Sequence, residues 1–174
     1  MAYKHHILGI DPGLTRCGWA LLQINPNNPT EKKYAHSGTW QTQPIKGETI
    51  WKRAQELYTL IDQSLDDWGR SDLLVTRAAV EEAVWGGRQG NQNASTARGV
   101  IACALKEWAI YDITDMKPTE AKRRTTGNGR AEKKEVRRTL ENLLAPEWRT
   151  KHEDESDALS IAYAAWQQNT AGLD

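Results

Sequence analysis

Hydrophobic and polar positions alternate with two different periods along this chain. Tyr3 to Asp11, with Ile7, Leu8 and Ile10 at its apolar centre, reads as a strand that ends at Pro12-Gly13. Gly18 to Ile24 predicts a second strand, close enough to pair with the first as a hairpin. Asn25 to Thr30 reads NPNNPT, a turn-rich loop, and Tyr34 to Thr42 predicts a third strand. These three strands imply an antiparallel meander. The period then changes. Ile50, Trp51, Ala54, Leu57, Tyr58, Ile61 and Leu65 recur at helical spacing and predict an amphipathic helix over Gly47 to Trp68.

The second half alternates strands with helices. Leu73 to Glu81 is a Leu-, Val- and Ala-rich strand, and Trp85 to Asn93 is a loop with three glycines. Ala94 to Ala109 predicts a helix capped near Asn93 or Ser95, with Ala97, Ala102 and Ala104 small enough for close packing. Tyr111 to Met116 predicts a short strand, and Thr119 to Arg124 a short helix broken by Gly127-Asn128-Gly129. Ala131 to Leu144 is a basic helix ending before Pro146. Asp154 to Gln168 is the last helix, with Ala158, Ile161, Ala162 and Ala165 on its core face. The order βββ-α-β-α-β-α-α gives a mixed α/β domain, an antiparallel first half joined to a parallel second half. No repeat, low-complexity tract or long linker divides it, so residues 1–174 are expected to form one domain.

Composition narrows the class. With 26% charged and 39% hydrophobic residues the chain is globular. No apolar run is long enough to cross a bilayer, and Asp11-Pro12-Gly13 interrupts the only signal-like stretch, so no membrane association and a cytoplasmic location are expected. Cys17 and Cys103 lack metal-site spacing and are read as buried free thiols. The net charge is zero, from 23 basic and 23 acidic residues. Its distribution is uneven: Lys117 to Arg138 holds nine Lys or Arg and three Glu. That segment suits a phosphate backbone, and equally a solvated helical face.

Three acidic positions are joined to apolar elements. Asp11 closes the first strand, Glu81 closes the fourth, and Asp154 and Asp157 share one face of the last helix's first turn. Singly, Asp11 is a turn residue and Asp154 a helix cap. Together they suggest one shared compensating cation, because carboxylates cost several kcal/mol to bury uncompensated. If the strands of Asp11 and Glu81 are parallel neighbours, their carboxylates converge where α/β sheets bind ligands. Oxygen-only ligands suit Mg²⁺ or Mn²⁺, and two such ions clamp a phosphodiester. Lys122 or Lys133 would neutralise charge on the phosphate.

These residues resemble the motifs of the RuvC family of Holliday-junction resolvases, RNase H-like endonucleases. The resemblance runs from about His6 to Tyr163. It rests on Gly9-Ile10-Asp11-Pro12-Gly13 followed by Gly18, on Val80-Glu81-Glu82, and on Ala97-Arg98-Gly99. It continues through Lys122, Gly127-Asn128-Gly129 and Ala131-Glu132-Lys133 to Asp154-Glu155-Ser156-Asp157-Ala158-Leu159-Ser160-Ile161-Ala162. The resemblance implies an RNase H-like five-stranded mixed sheet with helices on both faces. It implies Asp11, Glu81, Asp154 and Asp157 as catalytic, metal-binding carboxylates, with Lys122 in the active site and two Mg²⁺ ions, Mn²⁺ substituting. Arg88, Arg123, Arg124, Arg130, Lys133, Lys134 and Arg137 are the candidate contacts to DNA. Trp85 is the candidate to stack at the junction centre, one step beyond the family's usual position at Val84.

The resemblance also implies a homodimer, built largely on the helix around Ala94 to Trp108. Each subunit would cut one of two symmetric strands and leave a 5′ phosphate. It leaves room for a branch-migration complex as a further partner. Strand alternation turns Glu82 away from Glu81, and His152 stands outside the metal's ligands. Three rival readings follow. The first is a looser nuclease of a phage or mobile element that cuts forks and flaps. The second is a junction-binding protein that does not cut. The third is an ATP-binding protein of the actin and sugar-kinase type, which shares the early Asp-x-Gly but needs two such domains.

Overall fold

In a computed structural model, the structure describes residues 4–25, 27–43, 45–82, 88–144 and 152–170. Five strands form one sheet: β1 (Lys4–Asp11), β2 (Arg16–Asn25), β3 (Asn28–Gln41), β4 (Leu73–Glu81) and β5 (Ile113–Met116). Their spatial order is β3-β2-β1-β4-β5. β1, β2 and β3 pair antiparallel, while β4 runs parallel to both β1 and β5. The expected change from antiparallel to parallel therefore falls at β1. Ile10 is opposite Val80, so Asp11 and Glu81 finish neighbouring strands at the same level.

Strand alternation sends successive side chains into two cores. Leu8, Ile10, Ala78 and Val80 join one core with helices α1 (Ile50–Arg70) and α2 (Arg88–Glu107). Ile7 and Ala79 join the other, under helices α3 (Pro118–Thr126), α4 (Lys133–Leu143) and α5 (Glu153–Thr170). Asp11 and Glu81 are two residues beyond Gly9 and Ala79, so they belong to the α5 side. Gly9 and Gly18 make that side possible. A Cβ on Gly9 would run into the main-chain carbonyl of Ala158, and one on Gly18 into that of Asp154. The sheet backbone and α5 touch directly, and the first turn of α5 is drawn over the end of β1.

The first core is rich in indole. Trp19 lies 4.8 Å from Trp68 and 5.9 Å from Trp40, centroid to centroid. The Trp40 indole N–H donates to Ser64 Oγ at 2.8 Å. These rings fill a volume that phenylalanine, absent from the chain, fills elsewhere.

Several local expectations need correction. The loop expected over Asn25 to Thr30 is mostly strand, because β3 begins at Asn28. Asn25 braces the turn: its Oδ1 accepts the Asn27 N–H at 3.0 Å and its Nδ2 donates to Glu31 at 2.7 Å. The glycine-rich stretch expected as a loop to Asn93 enters α2 at Arg88, whose packing outweighs the roughly 1 kcal/mol helix penalty of Gly90. Trp51, counted by its spacing with the apolar positions of α1, is 74% exposed, at the margin of the buried stripe. Cys17 is buried as expected, and burial pushes its thiol up to about 12. Cys103 is exposed instead, off the face of α2 that buries Ala97, Ile101, Ala104 and Leu105. Among the described residues no helix is long and apolar enough to cross a membrane.

Candidate active site

Asp11, Glu81 and Asp157 line one open cleft of about 230 Å³. Lys122 of α3 and Lys133 of α4 face the same space, and Pro118, Ala121, Val136, Ser160 and Ile161 complete its wall. Each side chain arrives for a local reason. Asp11 and Glu81 stand where their strands leave the sheet. Asp157 precedes Ile161 by one turn on the buried stripe of α5. Pro118 at the first turn starts α3, and Gly127, with φ of 83°, stops it, leaving Lys122 in mid-helix. Thr125 and Ser160, both buried, share a 2.9 Å hydrogen bond that ties α3 to α5 one turn beyond Lys122 and Asp157.

The site holds excess negative charge. Burial, then the charges of Asp157 and Asp154, pushes the Asp11 carboxyl up to about 6, with Lys133 opposing. Burial, then Asp11 and Asp157, pushes Glu81 up to about 7, against Lys133 and Lys122. Lys133 supplies the main positive counterweight. Its ammonium donates to Asp157 Oδ2 at 2.6 Å, and that hydrogen bond holds it above its usual range.

Asp154 stands apart. It is not among the residues lining the cleft, and its Oδ2 lies 3.7 Å from Nε of Arg16. Sequence reasoning missed Arg16 because nothing in β2 announces a partner from α5. Among the described residues no three acidic, His or Cys side chains stand close enough to enclose an ion as they are. The donor set nevertheless fits a hard divalent cation. It consists of carboxylate oxygens alone, and burial, then the neighbouring acids, raises the proton affinity of the Asp11 and Glu81 carboxyls.

The expected DNA contacts divide. Arg130 and Lys134 are exposed. Arg123 and Arg124 both hold Glu120, at 2.8 and 2.6 Å, and Arg137 holds Glu141 at 3.1 Å. Arg88 opens α2, and its side chain lies outside the described residues, as does Trp85. His152 is exposed.

The sequence profile described as crossover junction endodeoxyribonuclease RuvC matches residues 7–165. The chain belongs to the RuvC family. The RuvC of Heliobacterium modesticaldum is 31% identical over 173 residues, covering 96% of this chain and 97% of the relative. That of Ehrlichia ruminantium strain Gardel is 31% identical over 161 residues, covering 90% and 93%. Among solved structures, T. thermophilus RuvC in complex with Holliday junction substrate superposes with a TM-score of 0.78. It is 22% identical, with 95% of this chain and 96% of that one covered. The RuvC fold is therefore shared across the whole described sheet and its helices.

Proposed function

We propose that this chain is a metal-dependent endonuclease that resolves four-way DNA junctions by paired symmetric nicks, each leaving a 5′ phosphate. The observation that carries this reading is the convergence of Asp11, Glu81 and Asp157 with Lys122 and Lys133 in one open cleft. It is supported by relatives named crossover junction endodeoxyribonucleases over nearly the whole chain. Asp11, Glu81 and Asp157 would hold Mg²⁺, with Mn²⁺ substituting and two ions per cleft, and Asp154 would join them on leaving Arg16. Such ions, when bound, lower the pKa of an attacking water and stabilise the leaving 3′ oxygen.

The chain's own residues do the rest. Lys122 sits in the cleft wall and places positive charge beside the scissile phosphate. Lys133 neutralises Asp157 in the free protein and would be free to turn to the phosphate once that carboxylate holds a cation. The exposed Arg130 and Lys134 extend the positive face along the strand being cut. Trp85 stacks on a base at the junction centre. A two-fold junction suits a homodimer, one surface then serving both cuts.

The test is cleavage of a labelled mobile four-way junction with Mg²⁺ by wild type and Asp157→Asn. Paired nicks by wild type and none by the variant are expected. Wild type that binds the junction but nicks it with neither Mg²⁺ nor Mn²⁺ would overturn the nuclease reading. Equal cutting of forks and four-way junctions would assign a looser branched-DNA nuclease.

A further inference from the structure

Nicking as described leaves the Ala97-Arg98-Gly99 segment of α2 without a task. Arg98 approaches the sheet from the side opposite the cleft. Ala97, Ile101, Ala104 and Leu105 of α2 pack with Ala78 and Val80, while Glu81 projects to the other face. The guanidinium of Arg98 stays on the α2 side and reaches the last residues of β4 and β5. Its Nη1 donates to the main-chain carbonyl of Glu81, and its Nη2 donates to Oδ1 of Asp115. The Arg98 side chain is 25% exposed and that of Asp115 62%, so the arginine is the sheltered partner.

The grip falls at the end of the β4–β5 ladder. β5 is a four-residue edge strand. The β4–β5 pairing ends at Glu81 opposite Met116, followed by a single Glu82 N–H to Met116 carbonyl bond of 2.8 Å. Among the described residues the ladder goes no further, so its last paired residue is the one that carries a carboxylate of the cleft. A planar fork can hold a carbonyl and a carboxylate at once, which an ammonium cannot do with fixed geometry. Charge-assisted bonds of this kind are roughly twice as strong as neutral ones. Arg77 and Asp112 make a second bridge between the same strands, 2.6 Å long, at the other end of β5.

We propose that Arg98 is a positioning residue for Glu81. By tying the Glu81 main chain to Asp115 from behind the sheet, it sets the direction in which the Glu81 carboxylate enters the cleft. The proposal rests on the reading of Glu81 as a carboxylate that holds a divalent cation.

The experiment measures Mn²⁺ binding to the full chain by calorimetry without DNA, together with single-turnover nicking of a pre-bound four-way junction. Arg98→Met is expected to weaken Mn²⁺ binding about tenfold and to slow nicking by about 10–100-fold, the range typical of outer groups that orient metal ligands. Junction affinity without metal should stay within about twofold of wild type, since Arg98 acts through Glu81 rather than on DNA. Arg98→Lys should recover only a small part of the loss. Arg77→Met removes the companion bridge far from Glu81 and should leave Mn²⁺ affinity and nicking as in wild type. The proposal is overturned if Arg98→Met binds Mn²⁺ as wild type does, or if Arg77→Met loses as much as Arg98→Met. Should Arg98→Met fail to fold, Asp115→Asn keeps the guanidinium and weakens its anchor. It should then lower Mn²⁺ affinity about threefold, and an unchanged affinity sinks the idea. Wild type that binds Mn²⁺ without nicking refutes the nuclease reading and leaves the Mn²⁺ comparison to decide Arg98.

Discussion

Asp11 and Glu81 carry carboxyls that ionise near 6 and 7 instead of near 4, because both are buried beside other acids. Between those values the folded chain holds protons that the unfolded chain has already lost. Stability contributed by these two groups therefore falls as pH rises from about 4 to about 7. Replacing Asp11 by Asn removes a charge the fold opposes. We expect Asp11→Asn to stabilise the metal-free protein at pH 8 by about 2 kcal/mol, the gain vanishing toward pH 4. Thermal melts in chelator at the two pH values check this, and a destabilised variant at pH 8 would contradict it. The same groups couple cations to protons. Divalent binding at pH 6 should release one to two protons and be about tenfold weaker per proton than at pH 8. Calorimetry in buffers of different ionisation enthalpy counts the protons. The sequence made the carboxylates legible, since each closes an apolar strand or opens an apolar helix. It hid Arg16 beside Asp154 and Arg98 behind Glu81, because those partners are set by tertiary placement and not by spacing along one element.

Elements were legible wherever a period was long and uninterrupted. β4 runs Leu73–Glu81 as its Leu-, Val- and Ala-rich run predicts, and α5 and α1 lie within a few residues of their expected spans. Punctuation misled where packing or a side-chain bond took over, at the β2–β3 turn closed by Asn25 and at the start of α2. The glycines of β1 and β2 act between elements. Gly18→Ala would drive a methyl into the Asp154 main chain and lift the first turn of α5. The expected cost is about 3 kcal/mol, at the upper end for overpacking, with nicking lost. Urea unfolding and junction cleavage report the two effects separately. Ser160→Ala leaves the buried Thr125 hydroxyl without its bond to α5. It should cost about 1–2 kcal/mol and slow nicking several-fold, as Lys122 and Asp157 lose their common brace.

At the scale of the whole molecule, a net charge of zero sits with a basic segment whose arginines are partly neutralised from within. Junction binding should therefore rest on fewer free cations than the segment's nine suggest. Lys134→Ala is expected to reduce the slope of log affinity against log salt by about 0.9, one phosphate contact. Arg123→Ala should change it less, since Glu120 already holds that guanidinium. Filter binding between 50 and 200 mM salt, roughly the range over which such slopes are read, measures both.

The sheet also works as a partition. Every cleft-lining side chain opens to the α3–α5 side, and the indoles of Trp19, Trp40 and Trp68 fill the α1 side. Heritable variation can therefore act on the two sides separately. Repacking under α1 would retune heat tolerance while leaving the chemistry alone, and changes along α3 and α4 would alter substrate preference without touching the Trp core. Arg98 lies on the Trp side but is bonded to the main chain of Glu81, so a substitution there would be felt across the sheet.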